Sequence, residues 1–160
     1  MTKILLLAIP LTTGLLLGAE QESTSAPIPE QIKSAKTIFI SNANDDCYYF
    51  GSGCVRGVFY NEFYAAIKNW GHYQLVASPS DADLVFELGS GVVFIPAGRD
   101  QSPDIHAYYR LSILDPKTRI TLWAFNNHAD SAILEGNRAK NSALARAKII
   151  TDLKAIVRTN

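Results

Sequence analysis

The stretch that decides the fold is Ala107–Asn126, which reads AYYRLSILDPKTRITLWAFN. Apolar and polar residues alternate in its first half, and one side carries Tyr109, Leu111 and Ile113. The turn-forming residues 115–118 (DPKT) follow, and one side of the second half carries Ile120, Leu122 and Ala124. Two alternating runs around a proline turn are typical of an antiparallel β-hairpin.

Upstream of the hairpin, residues 82–88 (ADLVFEL) form a β-rich run that predicts another strand. Glycines and prolines interrupt the chain between residues 89 and 106, so we predict a long excursion there. Loops of this length in compact domains are often functional. The excursion is therefore a candidate for recognition.

Two amphipathic segments predict helices on either side of these strands. The first covers about residues 55–70 and ends at Gly71, where a left-handed residue would stop a helix. The second covers about residues 136–157. Its apolar stripe consists of Ala139, Ala143, Ala147, Ile150, Leu153 and Val157. Short β-rich runs at 37–41 (TIFIS) and 73–77 (YQLVA) add two more strands.

The order along the chain is therefore strand, helix, strand, strand, two hairpin strands and helix. This order favours an α+β fold, a two-layer sandwich in which two helices cover one face of a mixed, mostly antiparallel sheet.

The amino-terminal residues resemble an export signal. Lys3 precedes an apolar run from Ile4 to Leu17, and small residues then lead into the polar Glu20. A basic start, an apolar core and a small-residue exit are typical of a secretory signal peptide. We therefore expect a signal at 1–19, a flexible linker at 20–35 and one domain at 36–160. The mature protein would lie in the periplasm or be secreted, with no membrane span after cleavage.

The charge balance excludes an electrostatic case for nucleic acid or for an anionic membrane surface. The chain has 15 basic and 15 acidic side chains, and loss of residues 1–19 removes only Lys3 among them. Binding to phosphate backbones depends on a clear excess of Lys and Arg. We therefore expect no nucleic-acid partner.

Cys47 and Cys54 are the two cysteines of the chain. An even number of cysteines in an exported protein favours a disulfide, here one that closes a short loop. Tyr48, Tyr49 and Phe50 lie inside this cysteine loop. They are either a lid over the edge of the core or a rigid contact surface, since aromatic side chains on a constrained loop lose little entropy on binding.

The runs at 82–88 and 109–115, the pair Leu122-Trp123 and the long carboxy-terminal helix together resemble a known group of envelope domains. These are the domains related to the amino-terminal domain of TolB and to the curli secretion lipoprotein CsgG. The resemblance covers about residues 35–157 and implies a β-α-β-β-β-α core and an adaptor role in the envelope. It implies no chemistry. The chain departs from CsgG because it lacks a lipid-bearing cysteine directly after the apolar amino-terminal run and lacks evident pore-forming segments.

No motif for catalysis, phosphate binding or metal binding has the required spacing. The histidines are His72, His106 and His128, and none belongs to a helical metal-binding motif. His128 and Asp130 are close in sequence, and Asp81 and Asp83 form a second acidic pair. We expect no cofactor and no metal. A deep polar pocket that joins His128 to Asp81 or Asp83 would instead favour an enzyme.

Two functions therefore remain open. The first is a non-catalytic envelope module that binds another protein or an envelope polymer. Its contact surface would consist of the cysteine loop and the 89–106 excursion, because loops on a rigid scaffold commonly carry recognition. The contact residues would be Tyr48, Tyr49, Phe50, Phe94, Arg99 and His106. The second is a small secreted hydrolase or metal-dependent enzyme.

Overall fold

The computed structural model describes residues 26–43, 57–95 and 104–158. The strands in these ranges are β1 (Thr37–Asn42), β2 (Gln74–Leu75), β3 (Leu84–Ile95), β4 (Asp104–Leu114) and β5 (Thr121–His128). The helices are α1 (Glu30–Ser34), α2 (Val58–Trp70) and α3 (Glu135–Arg158). None of these helices is long and apolar enough to cross a bilayer.

The strands form one open sheet in the order β2-β1-β3-β4-β5. β1 runs parallel to β2 and to β3. β4 runs antiparallel to β3 and to β5, and these two ladders contain most of the paired residues. The predicted α+β fold with a mixed, mostly antiparallel sheet is therefore confirmed.

The core lies between the sheet and the two long helices, which pack on the same face. Phe63 of α2 meets Phe86 of β3 edge to face, with ring centroids 6.3 Å apart. Ile149 and Leu153 of α3 are fully buried in the same cluster. Burying one such side chain stabilises a fold by roughly 1.5–3 kcal/mol. This cluster therefore holds both helices against the sheet.

Helix α1 lies within the segment 20–35 that the sequence predicts to be a flexible linker. Its Ile32 is fully buried in the core. Gln31 Nε2 donates hydrogen bonds to the backbone oxygen of Asp83 at 3.2 Å and to Asp115 Oδ2 at 3.0 Å. The end of this segment thus belongs to the fold. One buried isoleucine in a single helical turn gives no periodicity from which to predict it.

The two long helices confirm the amphipathic patterns, but the buried face of α3 differs from the prediction. α2 buries Phe59, Phe63 and Ile67 and stops at Gly71, whose φ is 67°. α3 buries Ala145, Ile149, Leu153 and Val157. The predicted stripe included Ala139, Ala143 and Ala147, which are exposed. Alanine suits either face of a helix, so these residues did not define its orientation.

The predicted hairpin at 107–126 is confirmed. A register shift between its strands changes which residues of the second strand face the core. A bulge beside Ile113 and Leu114 shifts the pairing so that Trp123 lies opposite Ile113 and Phe125 opposite Leu111. Trp123 and Phe125 therefore pack on the core, whereas Ala124 and Ile120 are exposed. A bulge inserts one residue and so exchanges the faces of the residues beyond it.

The predicted excursion at 89–106 is mostly strand. β3 continues to Ile95, β4 begins at Asp104, and their ladder is continuous from Val85 to Ile95. Gly91 lies directly opposite Tyr108, and a Cβ atom on Gly91 would come within 2.4 Å of the Tyr108 ring. The glycine therefore permits a close approach inside a strand, where the sequence had indicated a break.

Candidate functional site at the upper end of the sheet

The end of the sheet at which β3 ends and β4 begins is here called the upper end. β1 ends lower in the sheet, because Asn42 pairs with Leu88, seven residues before Ile95, and the N–H of Ala43 donates to the oxygen of Leu88 at 2.7 Å. The N–H of Ala129, just after β5, donates to the oxygen of Ala107 at 2.8 Å. Residues 44–56 and 96–103 lie outside the described residues.

Exposed apolar side chains are concentrated at this end. Phe94 and Ile95, at the end of β3, are 64% and 46% exposed. Ile133 and Leu134, just before α3, are 97% and 67% exposed. We call these four residues the upper rim. Phe94 and Ile95 are consecutive strand residues, so their side chains lie on opposite faces of the sheet. Exposed large apolar side chains commonly mark interaction sites.

The predicted contact residues Phe94 and His106 both lie at the upper end but on opposite faces of the hairpin. Phe94 follows the alternation of Phe86 and Leu88, so it lies on the face that carries the helices. His106 pairs with Val93 in β4 and lies on the other face. The remaining predicted residues, Cys47, Tyr48, Tyr49, Phe50, Cys54 and Arg99, lie outside the described residues.

Tyr108 contributes an aromatic ring to the face opposite the helices. The ring lies over Gly91, and its centroid is 6.4 Å from that of His128. Sequence reasoning assigned Tyr108 no role beyond the hairpin alternation. The glycine-aromatic pairing that positions the ring depends on the strand register, which the sequence did not provide.

The side chains of His128 and Asp130 line a shallow depression between the end of β5 and α3. The other residues that line it are Asn127, Asn141, Leu144, Ala145 and Lys148. Two of its side chains bond within the protein. Asn141 Nδ2 donates to the backbone oxygen of Asp130 at 2.9 Å, and Lys148 Nζ pairs with the Asp152 carboxylate at 2.7 Å.

The acidic pair Asp81 and Asp83 lies at the other end of the sheet, next to the start of β3. His128 lies at the same level of the sheet as Gly91, because both residues pair with Tyr108. Seven residues of β3 separate this level from Leu84, about 24 Å at ~3.4 Å per residue. The structure therefore does not bring His128 together with either aspartate.

Asp83 has a structural role instead. Its Oδ2 accepts hydrogen bonds from the backbone N–H groups of Lys36 and Thr37, both at 2.8 Å. These bonds stabilise the charged form and lower the pKa of the Asp83 carboxyl. The carboxylate thus fixes the start of β1 beside β3.

His72 lies apart from the other two histidines, which are diagonal neighbours on one face of the hairpin because His128 pairs with Tyr108, two residues from His106. His72 stacks on the Trp70 ring at a centroid distance of 4.8 Å after the end of α2, whereas His106 and His128 lie in β4 and β5. Among residues 26–43, 57–95 and 104–158, no three His, Cys, Asp or Glu side chains are grouped to hold a metal ion.

A rigid support lies directly below the rim. Arg146 of α3 pairs with Glu62 of α2 and donates from NH1 to the Tyr109 hydroxyl of β4 at 3.2 Å. Burial alone would lower the pKa of Arg146. Its hydrogen bonds to Glu62 and Tyr109 outweigh burial and leave that pKa raised. This contact joins both helices and the sheet, so the upper end is presented on a fixed frame.

Ile133 and Leu134 are the rim residues that sequence reasoning missed. They form an apolar pair within the otherwise polar stretch 126–142, just before a helix. Such a pair commonly packs beneath the first helical turn, so exposure was not the expected state. An apolar pair with no apolar periodicity around it was the sequence feature that could have indicated these exposed residues.

Comparison with known proteins gives similarity in structure but not in sequence. No family model matches the chain, and no curated protein matches it. Protein XCC0632 from Xanthomonas campestris, of family DUF330, has a TM-score of 0.50 at 15% identity, over 75% of this chain and 81% of its own. Because the identity is low, this likeness shows the fold alone.

Two further solved structures match less closely. A PelC dodecamer from Paraburkholderia phytofirmans has a TM-score of 0.46 at 12% identity, over 76% of this chain and 89% of its own. The uncharacterised lipoprotein B from Nitrosomonas europaea has a TM-score of 0.39 at 9% identity, over 84% and 88%. These three structures are neither TolB nor CsgG. The resemblance to that particular group stays a prediction, and the α+β architecture it implied is confirmed.

Proposed function

We propose that this protein is an exported, non-catalytic module of the cell envelope that binds another protein or an envelope polymer through its upper end. The observation that carries the proposal is the upper rim. Phe94 and Ile95 at the end of β3, and Ile133 and Leu134 just before α3, expose large apolar side chains. Binding would remove this apolar surface from water, at about 25 cal/mol per Å².

Export is proposed from the signal-like residues 1–19 and places the protein in the periplasm or outside the cell. In such a compartment a Cys47–Cys54 disulfide would constrain the loop that carries Tyr48, Tyr49 and Phe50. A constrained aromatic loop next to an apolar rim provides a preorganised contact surface. Arg99 and His106 would add polar contacts beside it.

The alternative of a small secreted hydrolase or metal-dependent enzyme has less support. The one depression that holds His128 and Asp130 is shallow, and Asn141 and Lys148 there already bond within the protein. Asp83, one of the two aspartates that the sequence suggested as a partner for His128, accepts hydrogen bonds from backbone N–H groups at the other end of the sheet. Binding without catalysis is the function that the geometry supports best.

The proposal is tested by capture of a partner from envelope extract, with variants that leave the core intact. Phe94→Ser combined with Leu134→Ser should reduce capture at least tenfold, which corresponds to about 1.4 kcal/mol. Ile120→Ser is the matched control. Ile120 is 62% exposed, almost the same as Phe94, but it precedes β5 at the opposite end of the sheet.

A second variant separates the two loops. Replacement of Tyr48, Tyr49 and Phe50 together by Ser should abolish capture while the thermal midpoint changes little. An unfolded variant would show that these aromatics belong to the core. Undiminished capture by both the rim variant and the loop variant would overturn the proposed surface.

A further inference from the structure

β5 is a long edge strand whose own sequence lacks the charges and prolines that usually protect such an edge, although a bulge interrupts its ladder with β4 beside Ile113 and Leu114. It pairs with β4 on one side and is the last strand of the sheet. Its sequence, TLWAFNNH, contains no Lys, Arg, Asp, Glu or Pro. Soluble proteins commonly place charges, prolines or bulges on exposed edges because an open strand recruits further strands. The other outer strand, β2, has only two residues and offers no comparable edge.

The outer backbone groups of β5 are also unpaired within the part of the chain that the structure describes. The backbone bonds that flank the strand, from Asp115 N to Ile120 O and from Ala129 N to Ala107 O, both point back toward β4. No backbone bond outside the β4 ladder involves Thr121–His128. A row of N–H and C=O groups is therefore available along about 27 Å at ~3.4 Å per residue.

The flank of α3 above this edge carries charges of both signs. Lys148 and Asp152 are one helical turn apart, joined by an ion pair of 2.7 Å, and both side chains are partly exposed. Leu144, one turn before Lys148, is 59% exposed on the same side. Under a two-fold axis, α3 would lie antiparallel to its copy. Lys148 would then face Asp152 of the second copy, and Asp152 would face the copy's Lys148.

We infer that β5 pairs antiparallel with β5 of a second copy of this chain, which joins the two sheets into one. A register with Ala124 on the two-fold axis uses residues 121–127 of both strands. It places Trp123 beside Phe125 of the second copy, a cross-strand aromatic pair of a kind that stabilises sheets. Ala124 is small and exposed, so it does not obstruct the axis. The self-complementary charges on α3 favour a second copy over an unrelated strand.

The first test is site-specific crosslinking of the protein purified after expression of the full chain. In the proposed register, two Ala124 Cα atoms would be about 4.5–5.5 Å apart, which suits a disulfide. Ala124→Cys should give a covalent dimer on a non-reducing gel after mild oxidation. Lys117→Cys, at an exposed turn, and the unmodified chain with Cys47 and Cys54 are the controls. Dimer yields equal to those of the controls would overturn the inference.

The second test uses charge on the axis. The unmodified protein should sediment as a dimer at about 100 µM, whereas Ala124→Lys places like charges opposite each other and should give a folded monomer whose thermal midpoint no longer rises with protein concentration. Ala124→Glu should behave in the same way, and an equimolar mixture of the two variants should restore the dimer. A monomeric unmodified protein, or a dimer that persists in Ala124→Lys, would overturn the inference. Neither result depends on partner capture at the upper rim.

Discussion

Arg146 of α3 donates two hydrogen bonds to the carboxylate of Glu62 in α2, from Nε to Oε2 at 2.6 Å and from NH2 to Oε1 at 3.1 Å. The side chain of Arg146 is only 12% exposed, whereas that of Glu62 is 48% exposed. The guanidinium also lies 5.3 Å from the centroid of the Tyr109 ring. The two helices are therefore joined through a largely buried cation that rests on the sheet.

We expect Arg146→Met to lower the free energy of unfolding by roughly 1–3 kcal/mol, because it removes charged hydrogen bonds and leaves the Tyr109 hydroxyl without its donor. Chemical denaturation provides the measurement. Arg119→Met is the control, since it removes the more exposed ion pair with Glu87 and should change stability by no more than about 1 kcal/mol. Equal losses in both variants would contradict the assigned role of Arg146.

Gly91→Ala should destabilise the protein by roughly 1–3 kcal/mol, because the new methyl group would overlap the Tyr108 ring. Gly89→Ala is a matched control in the same strand, since a Cβ there meets no atom within 4 Å. The double variant Gly91→Ala with Tyr108→Ala should lose less than the sum of the single variants. Strict additivity in that double-mutant cycle would show that the ring and the glycine are not coupled.

Tyr73→Phe should leave stability unchanged or raise it by up to about 2 kcal/mol, since it removes a buried hydroxyl that lacks a hydrogen-bond partner in the described structure. Burial raises the pKa of Tyr73 to about 12. The hydroxyl therefore ionises more easily in the unfolded chain than in the folded protein. The free energy of unfolding should not depend on this group below about pH 10 and should fall as the pH rises toward 12. A clear loss of stability in Tyr73→Phe at neutral pH would show that the hydroxyl has a partner.

Acid should destabilise the protein through two carboxylates at the lower end of the sheet. Asp115 accepts bonds from the N–H groups of Lys117 and Thr118. The backbone bond from Thr118, followed by that from the Gln31 side chain, lowers the pKa of Asp115 to about 2. A lowered folded pKa contributes stability that is present above the unfolded value near 4 and is lost as the pH falls toward 2. The pKa of Asp83 is lowered as well, by its bonds to Lys36 and Thr37.

Denaturant midpoints measured between pH 6 and about pH 2 provide the test of this acid dependence. Asp115→Asn should be less stable than the unmodified protein at neutral pH and should show a flatter decline in acid. The double variant with Asp83→Asn should flatten the decline further. An unchanged slope in both variants would assign the acid sensitivity to other groups.

The sequence predicts the elements of this fold better than it predicts their faces. Phe59, Phe63 and Ile67 form a stripe of large side chains that fits only one helical face, so the orientation of α2 is confirmed. In the first half of α3 the stripe consists of alanines, which carry too little apolar surface to define a face. The bulge beside Ile113 exchanges the faces of β5, and the nearby Asp115-Pro116 indicates the hairpin turn rather than a bulge.

The candidate site was harder to predict than the fold, because it depends on register and on ends of elements. Phe94, a predicted contact residue, is exposed near the end of β3, and its part in binding stays a prediction. His106 was assigned to a loop, whereas it pairs with Val93 in a strand and lies on the opposite face. Gly89 and Gly91 indicate a break because glycine usually interrupts strands. The pairing with Tyr108 explains a glycine at 91, whereas nothing in the structure explains Gly89.

The parallel pairing of β1 with β3 has a consequence for how the chain folds. β3, β4 and β5 follow one another directly, so their ladders close over short stretches of chain. α2 and β2 lie between β1 and β3 in the sequence, so pairing β1 with β3 closes a longer loop. Closing a longer loop costs more chain entropy. We therefore expect the three-stranded meander to form early, and the first strand of the sheet to be among the last to join it.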